Sequence, residues 1–224
     1  MHVLKKQLLD QEEVDYLCHV IKKGDEWLSG KTSAGGIAGK VKENFQYKRD
    51  TDISLTVSQY VFDKLLKNED INSFVKPAIY LPVFLSKTEV GGKYGNHVDH
   101  PYMSEGNRLF RTDLSFTLSL TDPDSYDGGD LVIKQESASL PIRLNKGEVI
   151  IYPTTSIHQV TEVTRGTRYA VVGWVTSMVP DSEDRYCLYK LKSVQMHLNG
   201  NPDNDQIQLD LVHIIANLTR KFSR

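Results

Sequence analysis

The chain has 224 residues, 39% hydrophobic and 25% charged, which is the balance of a soluble globular protein able to bury a sizeable core. A formal net charge of −2 offers no basic surface for nucleic acid, and no run nears the ~18 apolar residues that span a bilayer. Cys18 and Cys187 stand far apart and outside any CxxC pair, which argues against a zinc–thiolate site and for a reducing compartment.

The opening MHVLKKQLLDQEEVDYL lacks the apolar stretch of a signal peptide, so a cytoplasmic location is expected. Asp10 and Glu13 form a capping box. Val14, Leu17, Cys18 and Ile21 then recur at helical spacing until Gly24. Residues 29–39, SGKTSAGGIAG, read as a mobile loop. Their GKT lacks the full phosphate-loop pattern and a preceding apolar strand. A second helix is expected over about 53–68, with Ile53, Val57, Tyr60, Val61 and Leu65 on one face.

From residue 79 the pattern changes to short β-rich runs: IYLPVFL, LSFTLSL, GDLVIK, LPIRL, EVIIY and RYAVVGWV. Turn signals separate them at Gly91-Gly92, Asp127-Gly128-Gly129 and Asn145-Lys146-Gly147. Strands at this spacing suggest a sandwich or jelly roll. After about residue 180 helix returns. Its clearest stripe is Ile207, Leu211, Ile214, Ile215, Leu218 and Phe222, which could pack on the β core or on a partner. The oligomeric state stays open.

The chemistry lies in the β region. In YGNHVDH, His97 and Asp99 are two apart, so a strand turns both to one face. His158 follows EVIIYP about sixty residues later, where a jelly roll can bring the two strand ends together. Two histidines and a carboxylate on one side of an ion form the ligand set of non-haem iron(II) oxygenases. His100 has the wrong parity for the same face and is read as a rim residue. His2, His19, His197 and His213 fall in the N-terminal segment or in predicted helices. Arg168, ten residues past His158, suits the far carboxylate of a dicarboxylate co-substrate, because guanidinium grips carboxylate in two parallel hydrogen bonds. Arg165 belongs to the turn TRGTR and is expected in solvent. DGGD at 127–130 reads as a tight turn rather than a calcium loop.

Taken together, YGNHVD, RTDLSFTLSLTDPDSYDGGDLVI and GEVIIYPTTSIHQVTEVTRGTRYAVVGWVTSMV resemble the PKHD-type hydroxylases, in the prolyl-4-hydroxylase-like branch of the 2-oxoglutarate dioxygenases. The likeness is dense over 77–185 and extends more weakly to KENFQ and LVHIIANLTRKF. It implies an α+β, mainly β fold: a double-stranded β-helix over 77–180, an N-terminal helical region over 1–76 and a C-terminal helical extension over 181–224. It implies Fe(II) held by His97, Asp99 and His158, and 2-oxoglutarate held by Arg168. O2 would be the second co-substrate and L-ascorbate the supporting reductant. Succinate and CO2 would be released as the substrate is hydroxylated. The substrate could be a prolyl or other amino-acid residue, in a small molecule, peptide or protein.

One stretch departs from the family pattern. Relatives carry an Arg-Tyr pair before the HxD motif, whereas FLSKTEVGGKYG places Ser86, Lys87 and Thr88 there. Tyr94 or Ser119 is then a candidate for the missing pocket hydroxyl. Asp113 and Thr155 are candidates to brace the ligands, and Thr164, Arg165 and the 100–110 loop to meet substrate. The alternatives are a zinc-dependent hydrolase on the same three ligands, or a non-catalytic jelly-roll binding module. The first leaves Arg168 without a purpose, and the second leaves the intact ligands unexplained.

Overall fold

The computed structural model describes residues 1–135 and 138–223. The helix Gln11–Ile21 begins at the expected capping box, with Asp10 accepting from the Glu13 amide and Glu13 returning the bond. The second helix, Asp52–Lys67, is capped by Thr51 and buries Val57, Val61 and Leu65. A further short helix, Glu69–Val75, follows under an Asn68 cap. It ends where Lys76 takes a left-handed backbone, just before Pro77. The helices place their apolar faces on one side of a large sheet.

That sheet is antiparallel throughout. Its order is Leu4–Gln7, Glu148–Pro153, Leu114–Ser119, Arg168–Ser177, Phe84–Thr88, Phe45–Tyr47 and Trp27–Ser29, and Pro77–Tyr80 also pairs with the long strand. A second antiparallel sheet runs Ser139–Ile142, Leu131–Lys134, His158–Val160, Lys93–His97 and Lys42–Glu43. The protein is thus mixed α and β, strand-rich, with antiparallel sheets.

Strand alternation explains how one sheet serves two purposes. On Leu114–Ser119, Leu114, Phe116 and Leu118 join the core beneath the helices, as do Val171 and Val175 on the long strand. The alternate residues Ser115, Thr117, Arg168, Val172 and Trp174 line a cavity instead. Gly173 permits a close approach in this layer, since a Cβ there would lie 2.5 Å from the Phe116 ring. A second apolar cluster, including Leu131, Ile133, Ile150 and Tyr152, ties the small sheet to the large one.

Three details differ from the sequence reading. The N-terminal region also carries strands, at Leu4–Gln7, Trp27–Ser29, Lys42–Glu43 and Phe45–Tyr47. They are two to four residues long, so no alternating run could announce them. IYLPVFL divides into two strands around Leu81-Pro82-Val83, where Pro82 has no N–H to give to a ladder. The 29–39 segment, read as a loop, carries a 3-10 turn at Gly30–Ser33 and a short helix at Gly36–Lys40. The C-terminal region is helical, with Ser182–Leu198 and Asp205–Phe222 packed on each other. The second of them has no buried residue. Among the described residues, no helix is long and apolar enough to cross a membrane.

Candidate metal centre and co-substrate pocket

His97 ends the strand Lys93–His97 and His158 opens the strand His158–Val160, and the two residues face each other across the ladder. Asp99 lies just beyond, where the first strand has ended. One ligand atom from each of the three comes within 4.8 Å of the others. His97 Nε2 is 3.6 Å from one Asp99 oxygen, and His158 Nε2 is 3.8 Å from the other.

The imidazoles are held from behind. His97 Nδ1 lies 2.8 Å from the Gly95 carbonyl and His158 Nδ1 lies 3.0 Å from the Ser156 carbonyl. A carbonyl can only accept, so each Nδ1 carries the hydrogen and each Nε2 turns a lone pair to the centre. Asp99 Oδ2 accepts from Ser115 Oγ at 2.7 Å and from the Trp174 indole at 3.0 Å. Ser115 in turn meets Thr154 Oγ1 at 3.1 Å. Burial alone would raise the Asp99 carboxyl. The neighbouring His97 ring, His158 and the Ser115 hydroxyl outweigh it and bring the carboxyl to about 2. Burial pushes His158 down, against the pull of Asp99, which favours the neutral ring. Two imidazoles with Nε2 turned inward and one ionised carboxylate therefore converge, a donor set that fits iron(II).

Arg168 lines the same cavity of about 810 Å³. It is only 6% exposed, and no carboxylate of the described residues lies within ion-pair distance of it. Burial lowers its basicity, opposed mainly by Tyr126. Arginine nonetheless stays protonated in proteins, and a buried charge that no opposite charge balances costs several kcal/mol. An arriving anion would remove that cost. Gly129 packs against this arginine: a Cβ there would lie 3.1 Å from Arg168 Cδ, and its φ of +66° suits glycine. The DGGD turn thus supports the arginine, and its Asp130 pairs with Arg143 at 2.9 Å.

Tyr94 is brought to the site, stacked on His97 with ring centroids 3.5 Å apart. Ser119 is not. It is buried outside the cavity lining, and its hydroxyl donates to the Thr121 carbonyl at 3.1 Å. The cavity ends before that point of the strand, which parity alone does not reveal. Tyr152 is brought in instead, edge-on to His158 at 5.1 Å, with its hydroxyl pushed up by burial. It sits in EVIIYP, six residues before the ligand, and was readable only as a strand residue. Thr88, the cross-strand partner of Arg168, also lines the cavity.

Of the remaining candidates, His100, Tyr102, Met103 and Ser104 form part of the cavity wall, in keeping with the rim reading of His100. Arg165 is exposed and grips Asp127 with two nitrogens, at 2.7 and 3.1 Å. Thr164 is exposed and outside the lining. Asp113 binds Arg111 at 2.6 Å and the Ser177 amide rather than a ligand, and Thr154 rather than Thr155 joins the chain behind Asp99. Sequence reasoning also missed Lys42, which is buried against Tyr94.

A family profile described as the 2OG-Fe(II) oxygenase superfamily matches residues 83–176. A PKHD-type hydroxylase of Prochlorococcus marinus (strain MIT 9211) is 40% identical over 227 residues, covering 99% of each chain. One from Synechococcus sp. (strain CC9311) is 40% identical over 226 residues with the same coverage. The chain belongs to the PKHD-type hydroxylases. In fold, this hydroxylase is similar to a Pseudomonas putida prolyl-4-hydroxylase, with TM-score 0.56 and 15% identity over 78% of this chain and 92% of that one. It is also similar to a Trichoplax adhaerens prolyl hydroxylase solved with a hypoxia inducible factor peptide fragment, with TM-score 0.57 and 12% identity over 83% and 86%. The hydroxylase is therefore a 2-oxoglutarate-dependent Fe(II) dioxygenase, and the zinc-hydrolase and binding-module alternatives are set aside.

Proposed function

We propose that His97, Asp99 and His158 hold the Fe(II), that Arg168 takes the far carboxylate of 2-oxoglutarate, and that an amino-acid residue or related metabolite is hydroxylated beside them. The observation that carries the reading is the convergence of two Nε2 lone pairs and an ionised carboxylate in a cavity that also holds a buried guanidinium with no carboxylate partner among the described residues. When bound, iron and 2-oxoglutarate supply the oxidative chemistry, in which O2 is consumed, succinate and CO2 are released and a C–H bond becomes C–OH.

The protein's part is placement. The Gly95 and Ser156 carbonyls fix both imidazole tautomers, and Ser115 with Trp174 fixes the carboxylate. Tyr94 walls the site by stacking on His97. Arg168 orients the co-substrate by its far end, and Thr88 and Tyr152 supply the hydroxyls that the departed Arg-Tyr pattern leaves to other positions.

The two antiparallel sheets and their order support a double-stranded β-helix over 77–180, flanked by regions 1–76 and 181–224. Prolyl hydroxylases among the fold relatives, one of them carrying a peptide, support a prolyl or other amino-acid residue as substrate. L-Ascorbate as reductant and a cytoplasmic setting complete the proposal, the latter in keeping with two unpaired cysteines.

The test is 2-oxoglutarate turnover to succinate under O2 with added Fe(II). Wild type should give iron-dependent succinate, and His158→Ala and Arg168→Ala should each lower it by about a hundredfold or more. Succinate that persists in His158→Ala would remove that residue from the metal.

A further inference from the structure

A second buried cation faces the cavity. Lys42 stands on the short strand Lys42–Glu43 and pairs in register with Tyr94. Strand alternation turns Glu43 outward to Lys93 and Lys42 inward, where it is 5% exposed. Its ammonium donates to Ser33 Oγ at 2.9 Å and lies 4.9 Å over the Tyr94 ring. No carboxylate of the described residues comes within ion-pair distance of it. Ser33 is occupied in turn, donating to the Gly30 carbonyl at 2.9 Å and contacting Gln46. Burial pushes Lys42 down to about 8, with the charge of Asp99 opposing.

Counting charge in the loaded site isolates this lysine. Iron(II) is neutralised by Asp99 and by the metal-binding carboxylate of 2-oxoglutarate. Arg168 is neutralised by the far carboxylate. Arg49, also in the cavity wall, already holds Glu105 at 2.7 Å. One positive charge is left over, at Lys42. The cavity of about 810 Å³ is much larger than a five-carbon dicarboxylate needs, so a second ligand has room beside it.

Resting on the reading of the site given above, we propose that Lys42 receives a carboxylate of the hydroxylated substrate, so the part of the substrate that enters the cavity is anionic. One ammonium matches a monoanion. A phosphate dianion would leave charge over, and of the neighbouring groups Ser33 is spent on the Gly30 carbonyl, Asn44 Nδ2 donates to Ser86 Oγ, and Asn44 Oδ1, which has no partner, can only accept. Lys42 is a specificity residue in this account and takes no part in holding metal or co-substrate.

The experiment uses protein loaded with Fe(II) and 2-oxoglutarate without O2, whose visible charge-transfer band shifts when a ligand enters beside the metal. The probes are N-acetyl-L-proline and hippurate, each against its own carboxamide. In wild type each acid should bind at least about tenfold more tightly than its amide. In Lys42→Met and Lys42→Gln that ratio should fall to near one, with 2-oxoglutarate affinity and melting temperature kept. Equal binding of acid and amide, binding of neither, or a preference that survives in both variants overturns the proposal while leaving the metal and Arg168 assignments standing. Failure of wild type to form the band at all overturns those assignments and this one together.

Discussion

The strands around the metal centre and the C-terminal helix are both two-faced in sequence, yet they have opposite fates. Every residue of Leu114–Ser119 is buried, with apolar side chains under the helices and the Ser115 and Thr117 hydroxyls toward the candidate metal site. Asp205–Phe222 carries an equally regular apolar stripe and buries none of it completely. Ile207 and Ile214 remain about half exposed, and Leu211, Ile215 and Leu218 are only half-buried. Amphipathicity states what a segment can cover; neighbours on both sides decide whether it is covered. The sheet strand has two hydrogen-bonded partners and material on both faces, whereas the helix rests on Ser182–Leu198. Ligand placement belongs to the first kind of element, because a side chain must be over-determined to hold a metal geometry.

Substitutions can break or sharpen this contrast. Phe116→Ala should cost about 3–5 kcal/mol in denaturant unfolding, since it empties a fully enclosed position against Gly173. A loss under about 1 kcal/mol would mean the sheet is less tightly determined than described. Acid should act next most strongly. Asp99 is ionised down to about 2 in the folded protein, so its contribution is present above the ordinary carboxylate range and is lost as pH falls toward 2. His158 is lowered from its ordinary value, so the neutral ring is preferred on folding and acidification below about 6.5 also destabilises. Metal-free protein should therefore lose on the order of 2 kcal/mol between pH 6 and pH 2 through Asp99 alone. An Asp99→Asn variant with the same acid profile would contradict this.

Ser115→Ala should weaken Fe(II) or Zn(II) binding by about tenfold or more, because Asp99 then keeps only the Trp174 bond. The melting curve of the metal-free variant should move far less than that of Phe116→Ala. Smallest of all, Leu209→Ala on the outer side of the last helix, 62% exposed, should change stability by no more than about 0.5 kcal/mol. A larger loss, or one that depends on protein concentration, would reveal a partner on that face.

The sequence exposed the candidate metal site better than its surroundings, for a physical reason. His97 and Asp99 share a face by the two-residue period of a strand. His158 and Arg168 sit at positions where strand ends meet. All four could be reasoned from local pattern together with the family likeness. The capping box at Asp10 and the helix near 53–68 were equally local. Ser115, Trp174, Tyr152 and Lys42 depend on contacts across strands far apart in the chain, which no window of sequence contains. Ser119 illustrates the converse. It has the parity of Ser115 and Thr117, but the cavity stops short of it. The short N-terminal strands stayed hidden because two to four residues carry no period.

The direct pairing of His97 with His158 also limits how this chain can change length over evolutionary time. Each histidine belongs to a strand whose faces alternate residue by residue, so inserting or deleting one residue within either strand would turn a ligand from the cavity to the opposite face. The loops between them face no such parity rule, and their closure cost rises only slowly with length. Insertions that tailor substrate choice are therefore affordable at the Gly106-Asn107 turn between the paired strands Tyr102–Glu105 and Arg108–Arg111, while the strands that carry the ligands keep a fixed count.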